Sequence, residues 1–142
     1  MTGGLLLAAG SSVASEQQFL VETTLWLEGQ ARQVPAMVVK AREPAFLMPA
    51  AEDGSVSDGN WRLQVEVDPV DDPLIPTDSL WVNITIDRFE NGTWENLTDS
   101  MLGVPEGEIA TLSVVDGDNA PDPTTAQVYL EIRTSRLRPA SN

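Results

Sequence analysis

A chain of 142 residues with 42% apolar content suffices for one domain that buries about two thirds of its unfolded surface. Its 22 acidic and 8 basic residues leave a net charge of −14, a field that repels nucleic acid and anionic lipid and favours solubility or cations, so no nucleic-acid partner is expected. With no cysteine and no histidine there can be no disulfide, zinc–thiolate site, thiol nucleophile or Ser-His-Asp triad, and the chain reads as a non-enzyme.

The N-terminus opens on a short apolar run of small residues, Gly3-Gly4-Leu5-Leu6-Leu7-Ala8-Ala9-Gly10. Val13-Ala14-Ser15 then presents small side chains at the positions a signal peptidase reads. Residues 1–15 resemble a secretory signal peptide without its basic first region; the alternative is a frayed Gly/Ala/Ser tail. The first reading predicts a periplasmic or secreted protein with a single domain over 16–142. No run approaches the roughly 18 apolar residues of a membrane span.

Four segments then alternate with period two. Phe19, Val21, Thr23, Leu25 and Leu27 interleave with Leu20, Glu22, Thr24 and Trp26, and Glu28-Gly29 offers a turn after them. Trp61, Leu63, Val65 and Val67 form the second run, and Pro69, Pro73 and Pro76 mark a stiff connector behind it. Leu80, Val82, Ile84 and Ile86 form the third, followed by Asn91-Gly92. That pair is the strongest short-range hairpin signal, because a type I′ turn needs positive φ at both central residues. Val128, Leu130 and Ile132 form the last. No segment shows a 3.6 period, so the expectation is an all-β chain of about eight strands, a single two-sheet sandwich or partly open barrel. Trp61 is the largest expected core residue, and Trp94, just after the Asn91-Gly92 turn, is expected to join the core.

The halves, about 19–67 and 80–137, match each other. A shift of 65 residues superposes Met37, Val39, Glu43, Ala45 and Leu47 on Leu102, Val104, Glu108, Ala110 and Leu112. The same shift places Leu63, Val65 and Val67 on Val128, Leu130 and Ile132, which predicts an internal two-fold repeat. Arg42-Glu43-Pro44-Ala45 and Gly107-Glu108-Ile109-Ala110 recur within it. This twice-used pattern resembles strand–turn–strand units of small proteobacterial periplasmic proteins without assigned function, and its rhythm is similar to that of secretin β-domains. The resemblance covers roughly 19–138 and implies a bacterial envelope protein. It implies no functional residue, and the length and lipid-facing strands of secretin pores are missing here.

Charge is uneven. Residues 51–122 hold 17 acidic side chains against Arg62 and Arg88 alone, while Arg133, Arg136 and Arg138 make the C-terminus basic. That polarity suits either head-to-tail association or a basic last strand on a monomer. In the acidic region, Asp116-Gly117-Asp118-Asn119-Ala120-Pro121-Asp122 alternates carboxylate and amide oxygens, the hard ligands calcium prefers. Asp116, Asp118, Asn119 and Asp122 are the candidate calcium ligands, with Asp68, Asp71, Asp72 and Asp78 as reserves. Asp118-Asn119-Ala120-Pro121 resembles the inter-repeat linker of cadherins, but their further acidic motifs are absent. Asp, Asn, Gly and Pro are equally what turns are made of. Paired carboxylates can run glycoside hydrolysis, yet among this many acids some pair always falls at a suitable spacing.

Trp26 and Trp81 sit on the outward face of their strands. Exposed aromatics there suit sugar stacking or a protein partner; covered by a loop, they would be satellite core. Asn83, Asn91 and Asn96 head N-x-[ST] triplets, incidental in a bacterial chain. The functional expectation is a non-catalytic binding or scaffolding protein of the bacterial envelope whose partner is another envelope protein. The alternative is a calcium- or carbohydrate-binding β-sandwich module.

Overall fold

The computed structural model describes residues 17–49, 53–69, 74, 79–115, 117 and 122–137, and among them lie nine strands and no helix. In chain order they are β1 (Gln18–Leu27), β2 (Gln30–Arg32), β3 (Met37–Lys40), β4 (Ala45–Leu47) and β5 (Trp61–Pro69), then β6 (Ser79–Glu90), β7 (Thr93–Pro105), β8 (Ile109–Val114) and β9 (Val128–Leu137). The signal-like segment 1–15 lies outside the described residues. Among the described residues no helix is long and apolar enough to cross a membrane.

All pairings are antiparallel and form two sheets. In the first, β1 pairs along its whole length with β9, and β9 pairs with β8. The other edge of β1 is shared end to end: β2 covers residues 25–27 and β3 covers 18–21. Pro35, which has no N–H for a ladder, stands in the gap between β2 and β3. The second sheet runs β4-β5-β6-β7. Among the described residues no strand pairing joins the sheets, so the fold is a two-sheet sandwich and not a closed barrel.

Alternation dictates the core. Phe19, Val21, Leu25 and Leu27 from β1 and Val128, Leu130 and Ile132 from β9 face Leu63, Val65 and Val67 of β5 and Leu80, Val82, Ile84 and Ile86 of β6. Trp61 is buried among them. This burial is the main driving force of the fold. Thr134 is fully enclosed, and among the described residues neither its hydroxyl nor that of Thr23 finds a partner.

Both two-residue hairpins adopt the expected turn, with φ of 51° and 83° at Glu28-Gly29 and 54° and 80° at Asn91-Gly92. The chain changes sheet at two corners, between β3 and β4 and between β7 and β8. At the first, Arg42 holds φ 63° and donates its N–H to the Val67 carbonyl at 2.8 Å; at the second, Gly107 holds φ 83° and donates to Thr134 at 2.8 Å. Glu43 N–H to Lys40 O and Glu108 N–H to Pro105 O close the two turns with the 65-residue offset. Exchanging β1, β2/β3, β4 and β5 for β6, β7, β8 and β9 converts the strand order of one sheet into that of the other.

One end of the sandwich is clamped between sheets. Arg88 of β6 reaches Glu28 in the β1–β2 turn at 2.8 Å and Glu95 of β7 at 2.9 Å. Glu28 first, then Glu95, holds the guanidinium pKa above its ordinary value. Its stem is largely covered, its Nε is buried without a partner among the described residues, and both carboxylates remain over half exposed.

Candidate functional site

Odd-numbered residues of β6 turn away from the core, so Trp81, Asn83, Thr85, Asp87 and Phe89 line the outer face of the four-stranded sheet. Register places Asp68 of β5 and Gly103 of β7 on either side of Trp81. Glu66 and Met101 flank Asn83 one row further along, and Gln64 and Asp99 flank Thr85 beyond it. The indole leans over Gly103: a Cβ built on that glycine would lie 3.1 Å from Trp81 Cζ3. Trp81 nevertheless stays 38% exposed and Met101 58% exposed. Phe46 of β4, opposite Gln64, is 68% exposed on the same face. Among the described residues the side chains of Gln64, Glu66 and Asn83 make no hydrogen bond. The result is a surface where exposed apolar side chains stand beside free amide and carboxylate groups.

The opposite end of this face is internally satisfied. Arg62 lies 4.3 Å over the Trp94 ring and bonds Asp87 at 2.7 Å. Asp87 also accepts from Asn96, and Phe89 meets Trp94 edge-on at 5.2 Å. Trp94 is therefore half-buried under Arg62 on the outer face, which corrects its assignment to the core. The cause is the tight turn, which pairs Trp94 with outward-facing Phe89; past it, a β-bulge between the Ile86 and Asp87 pairings inserts Leu97, and Leu97 packs inward.

Trp26 sits on the outer face of the other sheet, half-buried, with its ring edge-on to Tyr129 at 5.5 Å. The two outward tryptophans thus belong to opposite surfaces, and Trp81 is the more open of them. Near Trp26's sheet centre a depression of about 200 Å³ is lined by Glu22, Thr24, Ile109, Glu131 and Arg133. It is smaller than the roughly 300–1,000 Å³ of small-molecule clefts.

Of the candidate calcium ligands, Asp116, Asp118 and Asn119 lie outside the described residues, as do the reserves Asp71, Asp72 and Asp78. Asp122 is described, and its Oδ1 accepts from Thr124 Oγ1 at 2.6 Å, Thr124 N–H at 2.9 Å and Thr125 N–H at 3.1 Å. The Thr124 hydroxyl, followed by the backbone N–H groups, holds its carboxyl below the usual pKa. That oxygen builds the turn into β9, which leaves Oδ2 as the atom free to meet a cation. Asp68 is engaged by Arg42 at 3.1 Å. Among the described residues no three acidic side chains converge on a metal-sized point.

The basic C-terminal stretch is partly internal as well. Arg136 bonds Glu106 through both its backbone N–H and its guanidinium, and reaches Gln17 at 3.2 Å. The surface that sequence reasoning missed is the set Gln64, Glu66, Asn83, Met101 and Gly103 around Trp81. Alternation alone marks Gln64, Glu66 and Asn83 as outward, but the Trp81–Gly103 pairing depends on the bulge. Comparison with protein-family models, with characterised proteins and with solved structures yields no match to the chain.

Proposed function

We propose that this protein is a non-catalytic binding or scaffolding component of the bacterial envelope, acting outside the cytoplasm, and that it meets its partner with the outer face of the β4-β5-β6-β7 sheet. The observation that carries this reading is Trp81, an aromatic side chain held flat over Gly103 and left open to solvent. Solvent-facing aromatics beside exposed apolar neighbours are the contacts that dominate recognition surfaces. The absence of histidine and cysteine from the sequence favours binding over catalysis, and the signal-like N-terminus supports the location.

A second reading has its own support. Gln64, Glu66 and Asn83 are unengaged hydrogen-bonding groups beside an indole platform, the chemistry that a sugar ring requires. Retention of envelope extract on the immobilised chain tests the surface. Trp81→Ala should abolish it while Trp26→Ala leaves it intact; retention that survives Trp81→Ala rejects this face. Retardation on polysaccharide gels, lost with Trp81→Ala, would identify the partner as a glycan.

A further inference from the structure

β7 is the longest strand, and among the described residues it is paired on one side only, by β6. In an antiparallel edge every second residue turns its N–H and C=O outward, a template for a further strand. Proteins blunt such edges with bulges, prolines and lysines. Here the Leu97 bulge disrupts the first part of β7 and Pro105 ends it, but residues 98–104 between them are regular in register and carry no Lys or Arg. That stretch is as long as an ordinary strand of about five to six residues.

The outer side of this open stretch shows Asp99, Met101 and then Gly103. Gly103 has no side chain, and the benzo edge of Trp81 occupies its place, with Cζ3, Cε3 and Cη2 within 3.1–3.5 Å of where a Cβ would stand. An added strand would therefore set one side chain, the one opposite Gly103, directly against the indole. The chemistry of that strand follows from charge. Residues 51–122 bear 17 acidic groups against two arginines; on this face Asp68, bound by Arg42, pairs with Trp81, Glu66 stands one row further along and Asp99 two. Two copies of β7 paired with each other over this stretch would bring together two chains of −14 with no basic side chain at the seam. A basic segment gains instead, both from the acidic surroundings and from a cation on the indole face.

We propose that residues 98–104 of β7 receive an extended, lysine- or arginine-bearing segment of a partner protein as an added strand, with a cationic side chain opposite Gly103 laid against Trp81. This rests on the reading of the Trp81 face as the binding surface and names its partner.

The test uses the full chain, isotope-labelled, with a short alternating lysine–threonine peptide and its glutamate–threonine counterpart as probes. Amide exchange within 98–104 should slow, and the Trp81 indole N–H resonance should move with the lysine peptide alone. Affinity should fall as salt rises. Gly103→Val, which pushes the indole from the edge, and Trp81→Leu should each weaken binding by about two- to five-fold, the loss of an exposed cation–π contact. No protection in β7 with the lysine peptide, or an equal response to the glutamate peptide, overturns the proposal. A polysaccharide or peptide that moves the Trp81 resonance while β7 exchange is unchanged overturns strand addition and leaves the Trp81 face standing. A Trp81→Ala chain that keeps its envelope partner overturns the face reading itself.

Discussion

Removing the Trp81 side chain separates its two roles, as cover for the sheet and as contact for a partner. At 38% exposure, about three fifths of the indole is buried. A tryptophan can bury up to about 250 Å², so Trp81→Ala returns on the order of 150 Å² to water, or about 3–4 kcal/mol at 25 cal/mol per Å². The retained methyl and a compact unfolded state reduce this to about 2–3 kcal/mol. Domains have about 5–15 kcal/mol in hand, so the variant stays folded and its binding can be measured. Urea denaturation followed by far-ultraviolet circular dichroism reads the cost without relying on tryptophan emission. The contact with Gly103 adds a sharper signature. In the native background the Gly103→Ala methyl would crowd Cζ3 at 3.1 Å, whereas in Trp81→Ala that crowding is gone and no other atom stands closer than 3.5 Å. There, alanine should stabilise the strand by about 0.5–1 kcal/mol, so the two substitutions are coupled. A Trp81→Ala cost below about 0.5 kcal/mol, the range of ordinary surface changes, would refute the packing of the indole on the sheet. Strict additivity of the pair would refute the contact.

Three further outcomes follow from the clamp, the corners and the Asp122 turn. Arg88→Met should change stability by less than about 1 kcal/mol, because Glu28 and Glu95 rehydrate and the partnerless Nε is removed; Arg88→Ala, which also loses the covered stem, should cost about 2 kcal/mol in the same denaturation assay. Gly107→Ala, at φ 83°, should lower stability by about 1 kcal/mol, whereas Arg42→Gly, at φ 63°, should be close to neutral as relief of backbone strain offsets the loss of an exposed ion pair. The depressed carboxyl of Asp122 stabilises the fold above its unfolded pKa, and that contribution is lost as pH falls through the lower folded value. Melting temperatures of native and Asp122→Ala chains should therefore differ at neutral pH and begin to converge only as pH falls below about 4, toward the depressed folded value.

Much of the architecture is legible in residue order. The alternations of β1, β5, β6 and β9 become the four central strands, because burial on one face leaves a period-two record that no loop erases. Asn91-Gly92 announces its own turn. β7 is where legibility fails. Counting back from the tight turn pairs Trp81 with Leu102 and turns Met101 inward. The inserted Leu97 moves every later residue of β7 by one, which brings Gly103 opposite Trp81 and Met101 outward. Trp94, on the turn side of the bulge, keeps the outward side that its pairing with Phe89 gives it, whereas odd residues are outward after the bulge. A bulge is a cooperative property of two strands and leaves no composition signal in either. The short edges β2, β3 and β4 are equally quiet, since three or four residues cannot display a period. In Asp116 to Asp122 the same residue types serve a turn or a cation, and at Asp122 three hydrogen bonds to one oxygen show the turn being served.

Photo-crosslinking in bacterial envelope extract, the location proposed above, tests the Trp81 face most directly. A photoreactive side chain at Met101 stands beside Trp81, and one at Thr111 stands on the outer face of the other sheet as a control. A discrete adduct should form from position 101, disappear when Trp81→Ala is added, and be absent from position 111. Equal labelling from both positions, or an adduct at 101 indifferent to Trp81, would contradict the assignment of this face as the binding surface.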